Sequence, residues 1–199
     1  MEFGKMTLEA MEQKLAGMLT PARYTHSLGV METAVKMAHR FGADPEKARL
    51  AGLLHDCAKD IDFDEMLPLC DKLGVALDPV KREQKGLIHA DLGAKLLETE
   101  FGITDPEIIG AVKYHTLGRE NMTDLEKILY LADMIEPNRR SYDGLEELRR
   151  LCKTNLNCAM LFGVERSIDH IRHKRKKLHS QTLAAQQYFL TLCKEKVTV

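Results

Sequence analysis

No stretch of the 199 residues stays apolar for the roughly 20 positions that a membrane-spanning helix needs, so no membrane partner is expected. Residues Met1 to Met11 lack the basic start and apolar run of a secretory signal. Neither sign of charge is in excess. The 29 Lys and Arg against 30 Asp and Glu leave a formal charge of −1, which recommends no nucleic-acid or membrane partner. The cysteines (Cys57, Cys70, Cys152, Cys158, Cys193) are odd in number and include no Cys-x-x-Cys pair. That argues against a disulfide framework or a structural zinc knot, and for reduced thiols in a cytoplasm. Nowhere do apolar and polar residues alternate between hairpin turns, and repeats, low-complexity tracts and long linkers are missing. What is present, 44% hydrophobic and 30% charged residues, is enough to bury a core. The expectation is one all-α domain over residues 1–199, motif-bearing from about 20 to 140, with its last helices packed on it.

The helical signals mostly carry chemically sensible ends. Thr7 is placed to cap a first helix, with Met6 and Met11 as a hydrophobic staple. Thr20-Pro21 opens a second helix that Gly42 closes, and Tyr24, Leu28, Met31, Val35 and Ala38 share its apolar face. Asp44-Pro45 starts a third, expected to reach about Lys59. A short helix over 63–73 ends at Gly74, and Asp78-Pro79 begins an extended or turn segment. Further helices are expected over 87–101, from Pro106 through His115, and from a Thr123/Glu126 capping box to Glu136 before Pro137. The last three are expected over 145–152, 156–178 and 182–194.

Metal-capable residues fall at telling places on these helices. His26 lies on the second, and His55 and Asp56 on the third, after the apolar run Leu50-Ala51-Gly52-Leu53-Leu54. His89, His115 and Asp133 lie on three later ones. Helical neighbours point about 100° apart with ~1.5 Å of rise, so His55 and Asp56 can bind one ion. A bundle can bring His26 and Asp133 to it from other helices. Two imidazoles and two carboxylates without a thiolate suit Mn, Fe, Co or Mg with open positions better than a closed structural zinc. Such an ion activates water towards phosphorus and neutralises charge on phosphate oxygens.

Each residue also has a plainer reading. A lone His-Asp dipeptide often caps or hydrogen-bonds, and Asp133 could be salt-bridged to a buried Arg or Lys. Yet Asp133 interrupts Ile128, Leu129, Leu131, Ala132, Met134 and Ile135, where a carboxylate is costly unless paired or metal-bound. Four such positions on successive helices favour the joint metal reading.

The wording of three segments resembles a known family. Arg23-Tyr24-Thr25-His26-Ser27, Leu53-Leu54-His55-Asp56-Cys57-Ala58-Lys59-Asp60 and Leu131 through Arg139 are similar to the YqeK-type bacterial HD-domain phosphohydrolases, as are Ile88-His89 and Tyr114-His115-Thr116. The resemblance implies an HD-type helical bundle and symmetrical cleavage of diadenosine tetraphosphate to two ADP, with an iron-type metal. It maps His26, His55, Asp56 and Asp133 to the metal, and Arg23, Lys59, His89, His115, Thr116 and Arg139 to the nucleotide phosphates. The residues agree with those roles. Arg23 lies three positions before His26, on roughly the same helix face, and Lys59 stands one turn past His55 and Asp56. Arg139 follows Pro137, where a cation can close on a phosphate.

Asp56 and His115 are the candidate catalytic residues. His89 and His115 either hold a second ion in a two-metal clamp or meet phosphate oxygens and the leaving group, substrate contact being preferred. Asp60 either orients Lys59, accepts a proton or caps locally. The basic run Arg172 to Lys177 reads as a solvated helix end without interleaved aromatics, although the turn at Lys177, His179 and Ser180 could touch a phosphate. Cys57 reads as a buried filler. Rival functions are an HD phosphohydrolase acting on a mononucleotide or signalling nucleotide, a non-catalytic nucleotide sensor, and an RNA-associated helper. A homodimer is compatible with the chain, but no exposed apolar stripe names its face.

Overall fold

Asp-Pro and Thr-Pro steps start four of the helices, because proline presets φ at the first helical position and needs no amide partner there. Asp44, Asp78 and Asp105 each accept hydrogen bonds from two amides of the turn that follows. A computed structural model describes residues 6–195, and among these are eleven α-helices and no strand. They are α1 (Leu8–Met18), α2 (Pro21–Phe41), α3 (Pro45–Leu54), α4 (Phe63–Leu73), α5 (Pro79–Arg82) and α6 (Lys85–Phe101). After these come α7 (Pro106–Tyr114), α8 (Asp124–Ile135), α9 (Leu145–Leu151), α10 (Leu156–His173) and α11 (Ser180–Glu195).

Helix α8 is the hub. It packs on α2, α3 and α7 on one side and on α9 and α10 on the other, while α11 lies along α10. The chain is therefore an all-α bundle with its C-terminal helices packed on it. Its apolar residues explain the central place of α8: Leu125, Ile128, Leu129, Tyr130, Leu131 and Ala132 are all buried. The Thr123–Glu126 capping box fixes where that helix begins. Met11 is buried and Met6 packs against the same core, the placement a staple requires.

Four expectations need correction. Helix α3 stops at Leu54, so His55 and Asp56 sit in a turn and not on a helix. The cause is local: the His55 ring Nδ1 lies 2.8 Å from the Gly52 carbonyl, which the Asp56 amide would use in a continuing helix. Three-residue turns from Cys57 to Leu54 and from Lys59 to Asp56 follow. Helix α10 stops at His173 instead of reaching 178. Arg175 turns left-handed at φ 52°, and the Lys176 amide reaches back to the Ile171 carbonyl in a Schellman closure. The Asp78-Pro79 segment forms the short helix α5 rather than an extended stretch. Finally, not every thiol is free: Cys158 of α10 and Cys193 of α11 form a disulfide, with their Cα atoms 5.4 Å apart. Adjacent helices bring together two cysteines 35 positions apart, which no short spacing motif could reveal.

Helices α2 and α3 approach closely at Gly52, where a Cβ would lie 2.6 Å from the Met31 Cα. Backbone on both sides leaves nothing flexible to yield. Gly52→Ala is expected to lower stability by about 1–3 kcal/mol, read as a fall in Tm of roughly 2–4 °C per kcal/mol. An unchanged melting curve would contradict the close α2–α3 contact.

Candidate metal centre

Three histidines enter the core with one ring nitrogen already committed. His55 Nδ1 and His115 Nδ1 donate to the carbonyls of Gly52 and Val112, at 2.8 and 2.6 Å. His26 Nδ1 lies 3.2 Å from the buried Glu136 carboxylate. A neutral imidazole that donates through Nδ1 presents a lone pair at Nε2. Those three Nε2 atoms converge on Asp56 and Asp133. His26 Nε2 is 3.0 Å from Asp133 Oδ1 and 4.0 Å from Asp56 Oδ2, and His55 Nε2 is 3.9 and 3.5 Å from the same two oxygens. His115 Nε2 lies 3.7 Å from Asp56 Oδ1.

This packing places acceptors opposite acceptors. His26 Nε2, His55 Nε2 and Asp56 Oδ1 are buried and have no hydrogen-bond partner, a cost that native interiors avoid unless a cation or proton sits between them. The groups His26–His55–Asp56, His55–His115–Asp133 and Asp56–His89–His115 each gather their ligand atoms within 4.8 Å. A mixed nitrogen and oxygen donor set of this kind fits a divalent transition ion with open positions.

The surrounding charges support the same reading. Burial alone would raise the Asp56 carboxyl, but a charge on the facing His55, with His115 and His89 close by, holds it well below the usual range. Asp133 is likewise held low against burial, by His26 and then Arg139. Burial opposes protonation of His55, yet neighbouring Asp56 outweighs it and raises that imidazole. Arg23 Nη1 donates to Asp56 Oδ2 at 2.9 Å, and Arg139 Nη2 to Asp133 Oδ1 at 3.2 Å. The Lys59 ammonium stands 3.6 Å from Asp56 Oδ1 and 3.1 Å from His89 Nε2.

A cavity of about 760 Å³ opens over the cluster, with Arg23, His26, His115, Thr116, Asp133 and Arg139 on its wall. It continues between α8 and α10, past Tyr130, Met134, Tyr142, Ser167 and His170. Residues 23–138, which include every residue of these groups, match the HD domain family.

The chain belongs to the HD domain family. It is 41% identical over 173 residues to a symmetrical bis(5'-nucleosyl)-tetraphosphatase of Halalkalibacterium halodurans, covering 86% of this chain and 91% of that protein. A protein of the same name from Bacillus subtilis is 37% identical, covering 87% of this chain and 92% of that one. A crystal structure from Clostridium acetobutylicum, described as an HD superfamily hydrolase involved in NAD metabolism, superposes with a TM-score of 0.90 at 38% identity. That comparison covers 94% of this chain and 99% of the other.

Within this HD bundle, His26, His55, Asp56, Asp133, His89 and His115 stand together, from α2, the turn after α3, α6, α8 and the end of α7. Lys59 and His89 approach Asp56 from behind and are not on the cavity wall, unlike Arg23, Thr116 and Arg139. Asp60 does not orient Lys59: its carboxylate accepts from the amide and hydroxyl of Thr20 and ties the turn to the start of α2. Lys177 and His179 are engaged by Glu83 and Asp78, off the cavity, and Arg172 to Lys177 are all exposed. Cys57 is a buried filler whose thiol burial pushes up to about 12, so it stays protonated. Glu136, which the sequence offers only as a helix end, was missed. So was the Tyr130–Ser167–His170 arm, since no chemical motif links those positions.

Burial, then the Lys59 ammonium, pull the His89 imidazole down to about 4. The unfolded chain takes up this proton as pH falls through about 6.5, and the folded chain only near the lower value, so stability is lost across that window. Metal-free wild type should therefore lose about 2 kcal/mol more than His89→Gln between neutral pH and pH ~4.5. Urea denaturation at several pH values checks this, and equal slopes would contradict a neutral buried His89.

Proposed function

We propose that the chain hydrolyses dinucleoside tetraphosphates symmetrically, taking diadenosine tetraphosphate to two ADP. The observation that carries the reading is the convergence of unpartnered His26, His55 and Asp56 ligand atoms beneath a cavity whose wall presents His26 and Asp133 beside Arg23 and Arg139. The relatives named symmetrical tetraphosphatases support the choice of substrate, because the match runs along nearly their whole length. Residues 1–199 act as one catalytic domain in this reading, in the cytoplasm and alone or as a homodimer.

His26, His55, Asp56 and Asp133 hold the ion, iron before Mn or Co; a second ion on His89 and His115 is the alternative to a proton role for His115. Bound there, a divalent metal lowers the pKa of water and offsets charge on phosphate oxygens. The remaining work falls to the chain itself. Arg23 and Arg139 each spend one guanidinium hydrogen on a carboxylate and keep others for phosphate oxygens. Thr116 adds a hydroxyl on the same wall. His115, its Nδ1 locked on Val112, has Nε2 as its one exchangeable site, so it takes or gives a proton there and serves the leaving ADP. Lys59 and His89 fix the Asp56 carboxylate from behind and reach the phosphate region through it.

Incubation with diadenosine tetraphosphate, with or without chelator and with Fe, Mn or Co restored, should yield ADP alone and only when metal is present. Asp56→Ala should bring turnover below detection under every metal. ATP plus AMP would reject symmetrical cleavage, and stoichiometric nucleotide binding without turnover would reject the enzyme in favour of a sensor.

A further inference from the structure

Glu136 closes α8, yet its carboxylate is turned inward and is only 1% exposed. Both of its oxygens are taken by donors. Oε1 faces His26 Nδ1 at 3.2 Å, and Oε2 accepts the Asn138 amide at 2.6 Å. The space for it comes from α2. A Cβ on Gly29 would lie 2.5 Å from Glu136 Oε2, so glycine one turn beyond His26 is what lets the carboxylate reach the ring. Among the rings that aim Nε2 at the cluster, His55 and His115 lean on backbone carbonyls, whereas His26 leans on a charged side chain.

We propose that Glu136, seated by Gly29, is a positioning residue that sets the tautomer and direction of His26 for metal binding. As acceptor at Nδ1 it places the ring proton there and leaves the Nε2 lone pair facing Asp133 and Asp56. A carboxylate is suited to the place because both neighbours donate. An amide would turn an NH2 group against one of them. Glu136 meets neither substrate nor ion in this scheme, and acts only through His26.

The inference rests on the metal reading of the cluster, and its test reads metal affinity instead of activity. Mn2+ or Co2+ affinity is measured by competition with a chromophoric chelator, with Tm recorded on the same samples. Glu136→Ala should weaken binding by about 10–100-fold. Gly29→Ala keeps the carboxylate but pushes it aside, and should weaken binding by about tenfold. The obstructing atom is the end of a flexible side chain, so this variant keeps its fold. In the Glu136→Ala background the same Gly29→Ala change should cost nothing more, since the clash is gone. Gly17→Ala, with nothing near its added methyl, serves as the helix control and should bind as wild type does. If Glu136 only secures the Asn138 turn, Tm falls in the variants while affinity stays at the wild-type value, and the inference is overturned alone. If wild type itself binds no ion, the metal reading falls and takes this inference with it.

Discussion

Everything in this bundle is arranged around one unfavourable act, the burial of the Asp56 carboxylate. An ionised carboxylate loses several kcal/mol on leaving water unless cations and hydrogen bonds replace the solvent. Here the replacement comes from separate parts of the chain: Arg23 and His26 from α2, His89 from α6, His115 from the end of α7 and His55 beside it. Asp133 of α8 adds a second carboxylate, offset by His26 and Arg139. No single helix could supply these partners, so the site exists only when the helices have docked. The fold and the site are thus one cooperative unit, and the acceptors left unpartnered are the ones that a bound cation would satisfy.

The backbone bends to serve that arrangement. Ending α3 at Leu54 frees the His55 ring to take the Gly52 carbonyl, which aims Nε2 inward. Glycine at position 52 also lets α2 approach closely enough for His26 to meet the turn. Asp60 then ties the far side of the turn to Thr20, where α2 begins. A six-residue segment is held at both ends, which is the kind of preorganisation that a catalytic constellation needs.

Features encoded by adjacent residues were legible in the sequence, and those set by distant packing were not. Asp44-Pro45, Asp105-Pro106 and the Thr123/Glu126 box announce helix starts because capping is chemistry between near neighbours. Gly42, Gly74 and Gly102 announce stops because the left-handed conformation strongly favours glycine. The His and Asp positions stood out because polar groups in apolar helices demand a reason. By contrast, α10 stops at His173 and its closure turns on Arg175, a left-handed residue that is not glycine, within a row of mutually repelling cations. The end of α3 depends on a ring turning back onto its own helix. The Cys158–Cys193 link and the seat of Glu136 depend on which helices lie side by side, information that no local pattern carries.

The HD family membership and the geometry meet in one claim, that the His26, His55, Asp56 and Asp133 cluster is a metal site facing the phosphates of a nucleotide. Anomalous diffraction from crystals grown with Mn2+ tests it most directly. The account predicts a peak among His26 Nε2, His55 Nε2 and the Asp56 and Asp133 carboxylates, with the Glu136–His26 bond kept. A peak bound elsewhere, or none while these side chains stay paired only with one another, would contradict it.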